Sequence, residues 1–214
     1  MGEKKPGAWQ RPMQKAFMTD VVLQIRKRLR LFKKYGYDLP ASRQYFLKKV
    51  CFCKGPVLEI GTGKGHLTVA MAKRGLQVIS LDSDPKQLAV ARVHLKALKL
   101  SGYVRFKKMN AEKLRFKTQA FDSVVSMDFF HHAQKPLRCL KEMMRVTKRT
   151  LAIADLNKNG MAVMGRLHKS EGKTHEISKI PFRALREYLL KNGFKVKNFR
   201  HQCHAMIIAQ RREL

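Results

Sequence analysis

The sequence predicts an α/β protein built on a doubly wound, mostly parallel sheet, and three observations carry that expectation. From residue 57 onward, short apolar runs of strand type alternate with segments of helical periodicity. A glycine-rich turn, Glu59-Ile60-Gly61-Thr62-Gly63-Lys64-Gly65-His66, follows the first of those runs, and an acid, Asp82, closes the second. Strands that alternate with helices pair in parallel and are covered on both faces, and right-handed crossovers wind such a sheet in both directions.

The elements follow in order. The first dozen residues, with Pro6, Gly7 and Pro12, read as a loose arm. From Met13 to about Tyr35, Met18, Val22, Ile25, Leu29 and Phe32 recur at helical steps. That spacing predicts an amphipathic helix with Arg26, Lys27, Arg30, Lys33 and Lys34 around the rest of its surface. Gly36 and Pro40 end it, and a second short helix is expected over Ala41 to Val50. Together, residues 1–50 read as an arm and a helical cap, and 51–214 as the sheet domain.

Within that domain, Val57-Leu58-Glu59-Ile60 is a buried-strand signal running into the glycine turn, and Lys64 to Arg74 reads as a helix closed by Gly75. Gln77 to Asp82 is the second strand, and Pro85 opens a long helix to about Leu100. Tyr103 to Lys108 and Phe121 to Met127 are strands three and four, followed by a helix from about Lys135 to Thr147 and a fifth strand over Leu151 to Asp155. Residues 157–179, with Gly160, Gly165 and Gly172, read as an inserted loop. A helix over Phe182–Lys191 and a closing pair of strands, about Lys195–His201 and Ala205–Gln210, complete the chain.

The glycine turn is where chemistry is expected. Glycines let the backbone bend tightly and approach a bound group, and the helix behind them offers unpaired amides to an anion. Asp82, nineteen residues after Gly63, is placed to accept both ribose hydroxyls of an adenosine. A dinucleotide fold prefers G-x-G-x-x-G. Here that last position is His66 and the third glycine comes one residue early, at Gly65, which favours a sulfonium donor.

At this point the chain resembles the class I S-adenosylmethionine-dependent methyltransferases. Val57 to Gly65 is similar to their first motif, and Asp82 stands where the ribose-binding acid stands. Asn110-Ala111-Glu112 is similar to the third motif, beside the adenine, and Phe121 to Met127 to the fourth. The resemblance implies a Rossmann-like seven-stranded sheet of order 3-2-1-4-5-7-6 with strand 7 antiparallel. It implies S-adenosyl-L-methionine as cofactor, held by Glu59, Gly61, Thr62, Gly63, Gly65, Asp82, Ser83, Asn110, Ala111 and Met127; the alternative for Glu59 is an acid that only braces the loop. Phe129-Phe130-His131-His132 is similar to small-molecule methyltransferases, including those of quinone biosynthesis. The Asn-Pro-Pro-Tyr signature of many amino-methylating enzymes is replaced by Met127-Asp128-Phe129-Phe130.

An oxygen or carbon acceptor needs a base, and Asp128, His131 and His132 follow the fourth strand at the sheet edge where ligands bind. The alternative is that these histidines contact only cofactor, backbone or solvent. The 157–179 segment is expected to lie over the mouth as an acceptor lid, with His168 and His175 as further candidates. His168, Glu171 and His175 have metal-ligand types at helical steps, but Gly172 interrupts them and the spacing matches no zinc signature, so no metal is expected. The leading helix is read as capping the cofactor pocket, with Tyr35, Tyr37 or Tyr45 reaching inward.

Composition sets the remaining bounds. With 44% hydrophobic and 29% charged residues the chain reads as folded, and no apolar run is long enough to span a bilayer. The N-terminus lacks a secretory apolar core, and four cysteines without CxxC spacing read as reduced thiols, so the expected location is cytoplasmic. Forty-six Lys and Arg against 15 Asp and Glu give a net charge of +31, spread along the chain. That charge draws polyanions. It leaves three functions open: a methyltransferase for a small molecule, an RNA methyltransferase, or a binding protein that has the fold without the transfer.

Overall fold

The computed structural model describes residues 10–53, 55–170 and 181–212. Of the expected N-terminal arm, residues 1–9 lie outside the described residues, and 10–12 belong to the first helix.

Two helices precede the sheet. Helix α1 (Gln10–Lys34) buries Val21, Ile25 and Phe32 along one stripe and exposes Arg26, Lys27, Arg30, Lys33 and Lys34. Helix α2 (Leu39–Lys49) starts where Asp38 accepts the Ala41 amide at 3.0 Å, with Pro40 in its first turn. It turns Leu39, Ser42, Arg43, Phe46 and Leu47 inward.

The sheet has seven strands in the order β3-β2-β1-β4-β5-β7-β6, as the family resemblance implied. The strands are β1 (Val57–Ile60), β2 (Val78–Asp82), β3 (Val104–Lys108), β4 (Phe121–Met127), β5 (Thr147–Leu156), β6 (Phe194–His201) and β7 (His204–Arg211). Neighbours from β3 to β5 pair in parallel, and β7 runs antiparallel to both β5 and β6. All four residues of β1 are buried, as expected for a central strand covered on both faces.

Between the strands lie α3 (His66–Ala72), α4 (Pro85–Ala97), α5 (Pro136–Val146), α6 (Lys158–Ser170) and α7 (Phe182–Lys191). One apolar layer joins α5 and α7 to the sheet through Leu140, Met143, Leu185 and Leu189, and the opposite layer packs α2 and α3 through Phe46, Leu47, Ala70 and Met71. A third cluster ties α1 to α6, where Phe32, Tyr37 and Leu39 meet Val163, Leu167 and Cys203.

Two sequence expectations change. Residues 158–170 form helix α6 where a loop was expected. Its glycines pointed to a loop, yet Gly160, Val163 and Leu167 recur at helical steps and face inward, and Asn157 Oδ1 accepts the Gly160 amide at 3.0 Å to start the helix. Gly160 is there for space, since a Cβ would sit 2.2 Å from the Cys203 carbonyl oxygen. Strand β5 also begins four residues earlier than expected, at Thr147, because residues 147–150 already pair with β4 and β7. The segment 171–179, with Glu171 and His175, lies outside the described residues. Among those described, no helix is long and apolar enough to cross a membrane.

Candidate active site

The site forms at the C-terminal ends of β1, β2 and β4, on the glycine turn. Gly61 has φ +82°, which favours glycine, and a Cβ there would come within 2.9 Å of the Phe129 ring. Gly65, at φ +77°, is the αL residue from which α3 starts. The turn is braced from β2. Asp82 Oδ2 accepts the Gly63 amide at 2.8 Å, its Oδ1 accepts the Asp84 amide at 3.0 Å, and the Thr62 and Ser80 hydroxyls meet at 2.6 Å.

Two cavities meet there. One, of about 300 Å³, is lined by Gly61, Asp82, Ser83, Met109, Asn110 and Ala111 among others. The other, of about 170 Å³, is lined by Glu59, Gly61, Thr62, Gly63, Met127 and Asp128, with Arg43 and Tyr37 from the cap side. Gly61 and His132 belong to both walls, so the two spaces flank one turn. The donor residues expected from sequence therefore line one or the other, except Gly65, which packs against Ala91 and Leu95 of α4.

Glu59 is 1% exposed. Its Oε2 accepts from the Thr68 hydroxyl at 2.6 Å, while Oε1 has no hydrogen-bond partner. Burial pushes its carboxyl up to about 7, against the hydrogen bonds that favour the anion and with Asp82 adding repulsion. A buried acid that lines a cavity suits a cationic group.

Asp128 ends β4 with φ +57° and enters a cluster of side chains that sequence reasoning did not assemble. Its Oδ2 accepts from Arg43 and from the Tyr37 hydroxyl at 3.1 Å, and its Oδ1 lies 2.7 Å from His204 Nε2. Arg43 also donates to the Tyr37 hydroxyl. Burial alone would raise the Asp128 carboxyl; Arg43, and after it His204, hold it far below the ordinary carboxylate range. Burial pushes the Tyr37 hydroxyl upward and out of the physiological range.

His131 and Asp155 form a second buried pair. Asp155 accepts both the His131 backbone amide, at 2.9 Å, and the ring nitrogen Nδ1. Burial works against the imidazolium, but the Asp155 hydrogen bond and charge outweigh it and raise His131. His131 and His132 both line the smaller cavity. His168 does not; α6 presents Met164 there instead, next to Leu156 and to Arg28 and Phe32 of α1. Among the described residues no three His, Cys, Asp or Glu side chains gather to hold a metal ion.

Arg43, His204 and Asp155 were the partners missed. Arg43 did carry a signal, since it falls on the inward stripe of α2, where a cation needs a buried partner. His204 and Asp155 reach the site by strand pairing across β7 and β5, which no local pattern shows.

This sheet order, with an antiparallel β7 and a glycine turn braced by the acid closing β2, defines the class I methyltransferase fold. Comparison with known proteins agrees: a family model described as "Methyltransferase domain" matches residues 58–153. The ubiquinone biosynthesis O-methyltransferase of Xanthomonas campestris is 31% identical over 133 residues, covering 59% of this chain and 55% of that protein. The chain thus spans about half the length of the curated relatives it matches. Among solved structures, magnesium protoporphyrin IX methyltransferase of Synechocystis with bound SAH superposes with TM-score 0.61 at 15% identity, covering 99% of this chain and 90% of that one. A (4+2) cyclase superposes with TM-score 0.63 at 16% identity over 80% of each chain, so the fold by itself does not fix the chemistry. Residues 58–153 are thus similar to methyltransferase domains, and the likeness in sequence runs to ubiquinone biosynthesis O-methyltransferases.

Proposed function

We propose that the protein transfers a methyl group from S-adenosyl-L-methionine to a small molecule. The observation that carries this reading is the pair of cavities flanking Gly61, one walled by Asp82, Ser83 and Asn110 and the other by Glu59 and Met127. The first offers a carboxylate suited to ribose hydroxyls and a polar wall for adenine. The second offers the Glu59 carboxyl, which fits the donor's ammonium group. When bound, the sulfonium supplies an already activated methyl carbon, so the protein's work is alignment and exclusion of water.

The acceptor's place is the outer part of the smaller cavity, between Arg28 and Phe32 of α1, Leu156 and Met164 at the start of α6, and His131 and His132. The whole smaller cavity, the donor's end included, is about 170 Å³, which suits a small acceptor better than a nucleotide in a polymer. For an acceptor hydroxyl, His131 is the proton acceptor. With Nδ1 on Asp155, the lone pair of the neutral ring lies on Nε2. Asp128 is unsuited to that role, because Arg43 and His204 hold it as an anion of very low basicity.

The test is calorimetric titration with S-adenosylmethionine, with NADH as control, for the natural chain and Asp82→Ala. Loss of hydrogen bonds to a charged acceptor, each about 1.5–3 kcal/mol, predicts at least roughly tenfold weaker binding, measured below the melting temperature, which itself falls because the Gly63 and Asp84 amides lose their acceptor. Unchanged affinity, or preference for NADH, refutes the reading.

A further inference from the structure

The active site uses few of the chain's cations, and the structure gathers others in a groove at the opposite pole of the sheet. There the start of β5, the start of β6 and the end of β7 come together, because Thr150 pairs with Gln210 and Lys195 pairs with the same Gln210. The groove encloses about 590 Å³ and is walled by Lys148, Arg149, Lys195, Arg211 and Arg212, with Gln119, Thr150 and Gln210 as neutral donors. No acid lines it. Arg149 reaches Asp122 at 3.5 Å with its own side chain 62% exposed, a screened pair of little strength. Among the described residues no acid pairs with Lys148, Lys195 or Arg212.

Arg211 gives the groove a fixed cation. Its Nη2 donates to the Met144 and Thr147 carbonyls at 2.7 and 3.1 Å, and its guanidinium lies 4.7 Å over the Phe194 ring. Some cations elsewhere are matched by acids, as in Arg145 with Glu142 and Arg183 with Glu187. Five positive side chains around a concave wall, with no carboxylate among its described residues, suit a chain of phosphates.

We propose that this groove holds the backbone of single-stranded RNA, apart from the methyl-transfer site. The separation follows from β5, which runs from Lys148 at the groove to Leu156 at the donor cavity. Eight residues of strand span roughly 26 Å at 3.3 Å each, so a strand bound at one pole does not present its bases to the donor at the other. A membrane surface fits less well. The large exposed apolar side chains, such as Phe17, Leu23 and Leu190, lie elsewhere, and none lines the groove to anchor in a bilayer. No aromatic side chain lines it either, so the hold is on phosphate and is indifferent to base sequence.

The experiment is fluorescence anisotropy with a labelled 20-nucleotide oligouridylate. If four groove cations contact phosphate, affinity falls about 50-fold between 50 and 200 mM salt, from a slope of roughly −0.7 per contact. Lys148→Glu with Lys195→Glu weakens binding more than tenfold at about 100 mM salt, since two contacts are lost. Lys96→Glu with Arg105→Glu, an equal charge change on α4 and β3, costs under threefold. Both pairs keep the melting temperature and the S-adenosylmethionine affinity of the natural chain, which separates this outcome from failure of the methyltransferase reading. Equal losses in both pairs would show diffuse attraction by net charge and overturn the proposal. So would no RNA binding at 50 mM salt, or tighter groove-dependent binding to phosphatidylserine vesicles than to RNA.

Discussion

Replacing Glu59 with glutamine should alter how stability depends on pH more than stability itself. The carboxyl is 1% exposed and burial raises it from 4.5 to about 7. A group whose folded pKa is raised favours the protonated folded state, so its stabilisation is full below pH 4.5 and is lost as pH rises toward 7. That rise corresponds to about 3 kcal/mol, most of which falls between pH 5 and pH 8. Glutamine carries no such dependence and still offers an oxygen to the Thr68 hydroxyl. Urea denaturation at the two pH values measures the difference. With a slope of about 2.5 kcal/mol per molar urea, the natural chain loses about 1 M of midpoint relative to Glu59→Gln on going from pH 5 to pH 8. All other groups titrate alike in both proteins and cancel. Parallel midpoints across this range would show that Glu59 is not held protonated by its burial, and would refute the reasoning.

Arg43→Met should destabilise the fold by about 1.5–3 kcal/mol, because the half-buried Asp128 anion loses a charged hydrogen-bond partner; a loss under about 0.5 kcal/mol in a denaturant titration would contradict this. Gly160→Ala places a Cβ 2.2 Å from the Cys203 carbonyl and should cost about 1–3 kcal/mol, read as a lower melting temperature. If the change is silent, α6 does not sit against the β6–β7 turn. Asp155→Asn should move the NMR titration midpoint of His131 to lower pH, since the carboxylate that favours its imidazolium is gone. An unmoved midpoint would remove Asp155 as the group that sets this histidine.

The parts legible in sequence were those written by local pattern. The strand Val57–Ile60, the glycine turn and Asp82 lie within 26 residues, and each has a steric or hydrogen-bonding reason that needs no distant partner. The order of the outer strands became legible only through family resemblance, because nothing in the segments over 194–211 says which neighbour they take. Helix α6 was misread because its glycines were counted as breakers; Gly160 is needed to let the helix start close to the Cys203 carbonyl. The Arg43–Asp128–His204 cluster was hidden for another reason. Its members are 85 and 76 residues apart, and Arg43 is one of 46 basic residues until its face of the helix is known.

That cluster also constrains how the pocket opens. Arg43 of α2 reaches Asp128 just after β4, and Tyr37, just before α2, reaches His204 of β7, so the cap is tied to the ends of two strands. Swinging the cap outward would part the Asp128 anion from its cation. The cap's other seam runs where α1 meets α6. That seam is closed by apolar contacts such as Phe32 with Val163 and Leu167, and apolar surfaces can part without stranding a charge.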